Sequence, residues 1–192
     1  MKRLPLLAAA AAAAVLTASV AGDAHALGPI DLEVAAKAGL GTNPSGGPIN
    51  PLGFGLGGRG GVSFFGFYGG IDVIYYLGGS ETLTPPGPVG TGSEKASLHT
   101  LMYGLDLGYN FKVAILTIRP LLGLGNFTVT SNPGGNSASN LYLEPGVTAL
   151  VSLGTVFVGA DANLLVLPGI STPTGSQTET AFTLHGQIGL RF

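Results

Sequence analysis

The sequence predicts an all-β fold, an eight-stranded antiparallel up-and-down transmembrane β-barrel that follows a cleaved signal peptide. Three observations support this prediction. Apolar and polar residues alternate with a period of two in eight segments, as expected for strands with two different faces. Only 9% of the 192 residues are charged, whereas an ordinary globular domain is about a quarter charged. The 33 glycines and 13 prolines favour strands and turns over long helices.

The first 26 residues are predicted to be a secretory signal peptide. Residues 1–3 (Met-Lys-Arg) make a short basic start, residues 4–20 are rich in alanine and leucine, and residues 24–26 (Ala-His-Ala) match an A-x-A cleavage site. A membrane anchor is the alternative, but the apolar run is short for a spanning helix and no basic cluster follows it. We therefore expect a signal peptide at 1–26 and a barrel domain at 27–192.

Composition excludes several classes of function. Eight basic and ten acidic side chains give a formal net charge of −2, so we expect no nucleic acid partner and no attraction to anionic headgroups. The absence of cysteine excludes a disulfide framework, a thiol nucleophile and thiolate metal ligands. Residues 53–58 satisfy the G-x-G-x-x-G pattern but lack the strand and helix of a dinucleotide site. We predict no cofactor, and no metal, because no histidine and carboxylate cluster has metal-ligand spacing.

The first four strands are predicted at residues 30–40, 53–64, 67–77 and 97–109. Their apolar face consists of Ile30, Leu32, Val34, Phe54, Leu56, Val62, Phe64, Ile71, Val73, Tyr75, Leu101, Tyr103, Leu105 and Leu107. The alternating face consists of Asp31, Glu33, Lys37, Arg59, Ser63, Asp72, Ile74, Tyr76, Met102, Gly104 and Asp106. An arginine that faces lipid near mid-membrane costs roughly 2–4 kcal/mol, so the charged face is assigned to the lumen.

The last four strands are predicted at residues 116–124, 142–151, 158–166 and 180–192. Their apolar face consists of Leu116, Ile118, Leu122, Leu124, Leu143, Val147, Ala149, Val151, Val158, Ala160, Leu164, Val166, Phe182, Leu184, Ile188, Leu190 and Phe192. Their lumen face consists of Thr117, Arg119, Gly123, Tyr142, Glu144, Thr148, Asp161, Asn163, Thr183, His185, Gln187 and Arg191. Pro120 and Pro145 conflict with a continuous hydrogen-bonded ladder, so we expect bulges or split strands there.

Long and short connections alternate along the chain. Short turns are predicted at Phe65-Gly66, Lys112-Val113 and Leu153-Gly154, and long loops at residues 42–52, 78–96, 131–139 and 168–179. This arrangement places the short turns and both termini at one end of the barrel, the short-turn end, and the long loops at the other, the loop end. The loops contain few aromatic or charged residues, so we expect solvent-facing connectors without a recognisable ligand site.

The final strand carries a specific feature. Phe192 ends the chain, and Leu190, Ile188 and Leu184 precede it on the same face. Together with the signal peptide and the eight alternating segments, this pattern resembles the small eight-stranded outer-membrane proteins of Gram-negative bacteria, the OmpA-transmembrane-domain and OmpX type of the outer membrane protein beta-barrel family.

The resemblance implies a location in the outer membrane, with membrane lipid around the barrel. It also implies that Phe192, Leu190, Ile188 and Leu184 form the signal that the barrel assembly machinery recognises, after delivery by periplasmic chaperones. We expect a monomer, because a closed barrel has no open strand edges, and no peptidoglycan-binding domain after Phe192. A secreted soluble β-sandwich is the alternative outside the membrane class.

Charged residues on the lumen face are predicted to pair across neighbouring strands. If Phe65-Gly66 is a two-residue turn, antiparallel pairing places Arg59 across from Asp72. A two-residue turn at Lys112-Val113 likewise places Arg119 across from Asp106. Opposite charges at this separation are within reach of each other, and arginine offers carboxylates a bidentate geometry.

A turn at Leu153-Gly154 places Glu144 across from Asn163, with Asp161 one inward position away. Arg191 is expected to close the network near Asp31 or Glu33. The predicted lumen network therefore comprises Arg59, Asp72, Asp106, Arg119, Glu144, Asp161, Asn163, Lys37 and Arg191. We expect it to plug a lumen that is only wide enough for side chains. A narrow, porin-like path for ions or small solutes, opened when a pair breaks, is the alternative.

Two further functions are considered. Ser97 and His99 share a strand face near Glu94, so a Ser-His-acid hydrolase acting on membrane lipid could be assembled there, although a solvated rim explains the same residues. His185 is assigned to the polar lumen.

Transport of a small apolar molecule would need a gap lined by Tyr76, Met102, Phe127, Tyr142 and Leu165, but these residues also suit filling of the barrel. We therefore predict a non-enzymatic structural or interaction barrel.

Overall fold

A computed structural model describes residues 30–44, 46, 49–83, 94–132, 135–172 and 175–192. The predicted signal peptide at 1–26 and the first residues of the 27–192 domain lie outside this part of the chain. Within the part described, no helix is long and apolar enough to cross a membrane.

Eight antiparallel strands form the fold, as predicted. They are β1 (Ile30–Gly41), β2 (Phe54–Phe64), β3 (Phe67–Leu83), β4 (Glu94–Tyr109, continued by Phe111–Val113), β5 (Leu116–Asn132), β6 (Ser137–Leu153), β7 (Val156–Thr172) and β8 (Gly175–Arg191). The short segment Phe111–Val113 belongs to β4, because its pairing with β5 keeps the register that holds up to Gly108.

The sheet closes on itself between β1 and β8. Glu33 stands opposite Arg191 and Leu40 opposite Leu184 along this seam. Phe192 extends the seam, because its backbone exchanges two hydrogen bonds of 2.9 Å with Leu32. Every strand therefore has two neighbours, and the closed sheet exposes no edge.

The two faces of each strand have the predicted environments. On β3 and β4, the outward Ile71 and Leu105 are 59% and 53% exposed, whereas their inward neighbours Asp72 and Asp106 are 8% and 7% exposed. On β8, the predicted assembly-signal residues Leu184 and Ile188 point outward and are 53% and 57% exposed. The molecule thus has an apolar exterior and a polar interior, the reverse of a soluble protein.

Aromatic rings gather on the outside at the short-turn end. Phe67 packs edge-on against Tyr109 with ring centroids 5.1 Å apart, and Tyr109 packs against Phe111 at 5.0 Å. Such a belt marks the interface between hydrocarbon and headgroups in membrane barrels.

Only one of the three predicted short turns is placed correctly. Phe65 and Gly66 form the β2–β3 turn with positive φ angles of 49° and 87°, the geometry of a type I′ hairpin. The β4–β5 turn lies at residues 114–115 instead of Lys112-Val113, and the β6–β7 turn lies at residues 154–155 instead of Leu153-Gly154. No glycine marks the β4–β5 turn, whose Ala114 adopts a positive φ of 52°.

Three predicted long loops are partly strand. Within 78–96, 131–139 and 168–179, the strands continue to Leu83, Asn132 and Thr172 and resume at Glu94, Ser137 and Gly175. The β3–β4 register shifts by one residue between Leu77 and Ser80, and the β7–β8 register shifts between Leu167 and Ile170. The turn-forming residues Gly78-Gly79 and Pro168-Gly169 therefore lie in β-bulges within the strands. The β3–β4 and β7–β8 hairpins continue past these bulges toward the loop end.

The two strand prolines occupy interruptions of the ladder. The β4–β5 pairing is interrupted between Gly108 and Phe111 of β4, and Pro120 of β5 lies in this interruption. The β6–β7 pairing lapses at Pro145. The register is the same on both sides of each interruption, so neither proline lies in a bulge, and each avoids a position where a backbone donor is needed.

Candidate functional site in the barrel lumen

The lumen is filled by three layers of side chains. From the short-turn end they are an arginine layer (Glu33, Arg59, Arg119 and Arg191), an acid layer (Lys37, Asp72, Asp106, Glu144 and Asp161) and an apolar layer (Leu52, Ile74, Tyr76, Met102, Phe127, Tyr142, Leu165, Leu167 and Ala181). Each layer draws residues from strands all around the barrel.

Glu33 is the centre of the arginine layer. Its carboxylate accepts hydrogen bonds from Arg191 Nη2 at 2.7 Å and Nε at 3.0 Å, and from Arg119 Nη2 at 2.8 and 2.9 Å. Arg59 Nη2 donates to the same carboxylate at 3.1 Å. Because Glu33 lies on β1 and the arginines on β2, β5 and β8, four strands meet at one buried carboxylate that is fully shielded from solvent.

Aromatic and amide side chains hold the arginines in place. The guanidinium carbon of Arg119 lies 3.6 Å from the centre of the Tyr68 ring, a cation–π contact. Arg59 donates to the Tyr68 hydroxyl at 2.9 Å, and Arg119 Nε donates to Asn110 Oδ1 at 2.6 Å. The centre of the Phe157 ring lies 5.6 Å from the guanidinium carbons of both Arg59 and Arg191.

Lys37 is the cation of the acid layer. Its ammonium group contacts Asp72 at 2.6 Å and Asp161 at 2.8 Å. Gln187 joins this layer to the arginine layer, because it accepts a hydrogen bond from Arg59 Nε at 2.6 Å and donates one to Asp161.

The remaining two acids of this layer, Glu144 and Asp106, make no ion pair with any described residue. Glu144 accepts hydrogen bonds from Thr183 at 2.9 Å and from Asn163 at 3.3 Å. Asp106 is 7% exposed, and no hydrogen bond or salt bridge to it occurs among the described residues. An added Cβ at Gly123 would lie 3.0 Å from Asp106 Oδ1 and 3.3 Å from Glu144 Cβ, so Gly123 provides the space into which both acids project.

The structure corrects two of the predicted cross-strand pairs. Arg119 does not face Asp106, because Asp106 stands opposite Gly123. Asn163 stands opposite Gly146 instead of Glu144, although its amide still reaches Glu144 diagonally. Both errors follow from the misplaced turns. Moving a two-residue turn by n residues shifts the register by 2n, which changes the partner of each side chain but keeps its face.

The β2–β3 register is as predicted, but the ion pairs differ. Arg59 stands opposite Asp72, yet Arg59 bonds to Glu33 and Asp72 bonds to Lys37. Of the two partners considered for Arg191, the structure selects Glu33, while Asp31 pairs with Lys112 at 2.7 Å near the barrel rim. Gln187 was assigned to the lumen face but not to the network, whereas Tyr68 and Asn110 are lumen partners that the alternation pattern did not indicate.

The apolar layer is closed by part of the predicted loop 42–52. Leu52 is fully buried within it. Asn50 Nδ2 donates to the Gly41 carbonyl at 2.8 Å, and Asn50 Oδ1 accepts from the Leu52 backbone at 2.9 Å. Thr100 Oγ1 donates to the Pro51 carbonyl at 2.8 Å. Residues 50–52, here called the tongue, are therefore fastened inside the barrel and are not the solvent-facing connector that was expected.

A histidine links the acid and apolar layers. The Tyr76 hydroxyl lies 2.7 Å from His185 Nε2, and His185 Nδ1 lies 3.4 Å from Asp161. His185 is therefore part of the polar lumen, and Tyr76, one of the residues considered for an apolar gap, packs in the same cluster as Leu52.

Ser97 and His99, two of the three residues considered for a hydrolase, lie on the outward face of β4. His99 stacks on Tyr75 with ring centroids 6.0 Å apart and an interplanar angle of 14°. No hydrogen bond joins Ser97 to His99 in the part of the chain described, and the side chain of Glu94 is outside that part.

No known family model matches the sequence, and no curated protein matches it. Solved structures share the fold. Neisserial surface protein A superposes with a TM-score of 0.58 at 10% identity, covering 85% of this chain and 97% of that one. The N-terminal β-barrel domain of Pseudomonas aeruginosa OprF gives 0.54 at 14% identity, with 84% and 97% covered. A major outer membrane protein from Thermus thermophilus gives 0.50 at 16%, with 88% and 100% covered. The chain therefore has the fold of the small eight-stranded outer-membrane β-barrels.

Proposed function

We propose that this protein is an integral barrel of the Gram-negative outer membrane, with a structural or interaction role and a lumen closed by its own side chains. The apolar exterior and the fold support the location, because lipid is the solvent that an exposed belt of apolar residues requires. No catalytic role is assigned. The barrel assembly machinery and periplasmic chaperones are the partners expected during biogenesis, and the closed sheet favours a monomer.

The arginine layer carries the proposal of a closed lumen. Three guanidiniums from β2, β5 and β8 meet on Glu33, so the network spans the interior instead of lining its wall. An eight-stranded barrel has an interior that side chains can fill. At the loop end, Leu52 closes the apolar layer. A solute would have to displace both the ion pairs and the tongue to pass.

A narrow cation path is the second candidate, and the acid layer favours it. Four carboxylates face one lysine there, and Asp106 lacks a cation within salt-bridge distance among the residues described. Excess negative charge in a low-dielectric interior attracts cations. If a lumen path opens, we therefore expect it to prefer cations to anions.

Single-channel recording in planar bilayers tests the closed lumen. We expect no steady conductance from the wild-type protein, and short cation-selective openings from Arg119→Ala, because this change removes the guanidinium that crosses from β5 to Glu33. Lys112→Ala is the matched control, since it removes a cation whose side chain is 50% exposed at the rim, and it should behave as wild type. A large, steady wild-type conductance would show that the lumen is a pore.

A further inference from the structure

The outward face of β5 changes from apolar to polar along its length. From the short-turn end its outward residues are first Leu116, Ile118, Pro120, Leu122 and Leu124, and then Asn126, Thr128, Thr130 and Asn132. A transmembrane strand needs about 9–11 residues to cross the hydrocarbon. Counted from Leu116, that length ends near Asn126. The outward residues beyond Asn126 are therefore level with the lipid headgroups at the loop end.

Neighbouring β6 adds hydroxyls at the same height. Ser139 stands opposite Thr128 and Ser137 opposite Thr130. The paired hydroxyls are hydrogen-bonded at 2.8 and 3.1 Å, and both pairs are exposed. Thr128 also donates to Asn126 Oδ1 at 2.9 Å. We call this surface the hydroxyl patch; it consists of Asn126, Thr128, Thr130, Asn132, Ser137 and Ser139.

The chemistry of the hydroxyl patch suits a neutral polar ligand. Because Thr128 donates its hydrogen to Asn126, Ser139 donates to Thr128, and this pair offers a ligand only oxygen lone pairs. In the Thr130–Ser137 pair one hydroxyl hydrogen stays available to a ligand, as do the groups of Asn132. In the described side chains of β4, β5 and β6 above Leu124, the outward face carries no lysine or arginine, the residues that bind phosphate. Because outward residues two apart are roughly 7 Å apart along a strand, the patch is long enough for more than one sugar ring.

We propose that the hydroxyl patch binds neutral sugars of a glycolipid in the outer leaflet around the barrel. The proposal rests on the proposed outer-membrane location. The patch faces sideways, directly above Leu124 and Leu141, which are 43% and 70% exposed, so its neighbours are the headgroups of the lipids whose chains cover those leucines. Sugar hydroxyls match the donors and acceptors of the patch without a bridging cation.

Binding of fluorescently labelled lipopolysaccharide with a complete sugar core to the protein in phospholipid bicelles tests this inference. We expect saturable binding that withstands EDTA and at least tenfold weaker binding of lipid A, which keeps its phosphates but lacks the core sugars. Thr128→Val combined with Ser139→Ala should weaken binding of the complete glycolipid at least tenfold. Thr180→Val is the matched control, because Thr180 is also exposed and outward but lies opposite Val166, away from the patch.

Three results would overturn the inference: unchanged binding by the double variant, loss of binding in EDTA, or equal binding of lipid A. Each variant is first checked for the heat-dependent gel migration of a folded barrel. Because the substituted side chains are on the exterior, we expect all variants to fold. If the wild type itself fails to form such a barrel in bilayers, the outer-membrane proposal fails; if it folds and shows no preference for the sugar core, only the hydroxyl patch proposal fails.

Discussion

At the scale of single residues, Glu33 organises the interior. One carboxylate faces three guanidiniums; Glu33, Arg59 and Arg119 are buried, and the side chain of Arg191 is 13% exposed. Removing the shared partner of a buried ion cluster costs more than the cluster contributes, because the remaining charges keep their desolvation penalty without compensation. The closest comparison within the chain is Asp31, two residues away on the same face, which pairs with the half-exposed Lys112.

Glu33→Gln should destabilise the barrel strongly. We expect the free energy of unfolding in urea, measured in lipid vesicles, to fall by about 3–5 kcal/mol, because three arginines lose their common counter-charge. Asp31→Asn is the control and should cost less than about 1 kcal/mol, since its ion pair is partly exposed. Equal losses for the two variants would contradict a special role for the arginine layer.

At the scale of strands and turns, register decides which side chains meet. The β2–β3 register was predictable because Gly66 marks a turn that needs a positive φ angle. Residues 109–115 contain no glycine, so the β4–β5 turn could not be located to the residue. A turn displaced by two residues moves the register by four, which separates Arg119 from Asp106 while leaving both in the lumen.

A cysteine cross-link distinguishes the two registers. Leu107→Cys with Leu122→Cys should form a disulfide on oxidation, because these residues stand opposite each other. Leu107→Cys with Ile118→Cys, the pair implied by a turn at Lys112-Val113, should stay reduced, since four residues separate Ile118 from Leu122, about 13 Å along the strand. The chain has no cysteine of its own, so mass spectrometry of alkylated thiols reads the result directly. The opposite pattern would refute the register described.

At the scale of the whole molecule, the barrel is inverted relative to a soluble protein. Leucine, isoleucine and valine cover the outside, and the largest fully buried side chain among the described residues is Arg119. Such a surface is stable only where the surrounding medium is hydrocarbon. Sheet closure pairs β1 with β8, so the described part of the barrel presents neither an open strand edge nor a charged side chain to the lipid.

Spin labels test this inversion. Labels at Leu105 on β4 and Leu184 on β8, both outward and on opposite sides of the barrel, should be accessible to oxygen and shielded from a water-soluble nickel chelate after insertion into vesicles. A label at Ser139, above the apolar belt, should show the reverse preference. If labels at Leu105 and Leu184 collide with the nickel chelate as often as the label at Ser139, the outward face does not contact hydrocarbon and the proposed membrane location fails.

The alternation of residue types by itself determined the eight strands, the sidedness of each and the composition of the lumen. Alternation is local, and it survives the turn errors because displaced two-residue turns preserve the face of every side chain. Tertiary structure decided which lumen charges touch: Arg191 and Glu33 are 158 residues apart in sequence and meet only because the barrel closes between β8 and β1. Tertiary structure also decided that Leu52 packs inside the barrel, because the composition of a loop does not show which of its residues will be buried.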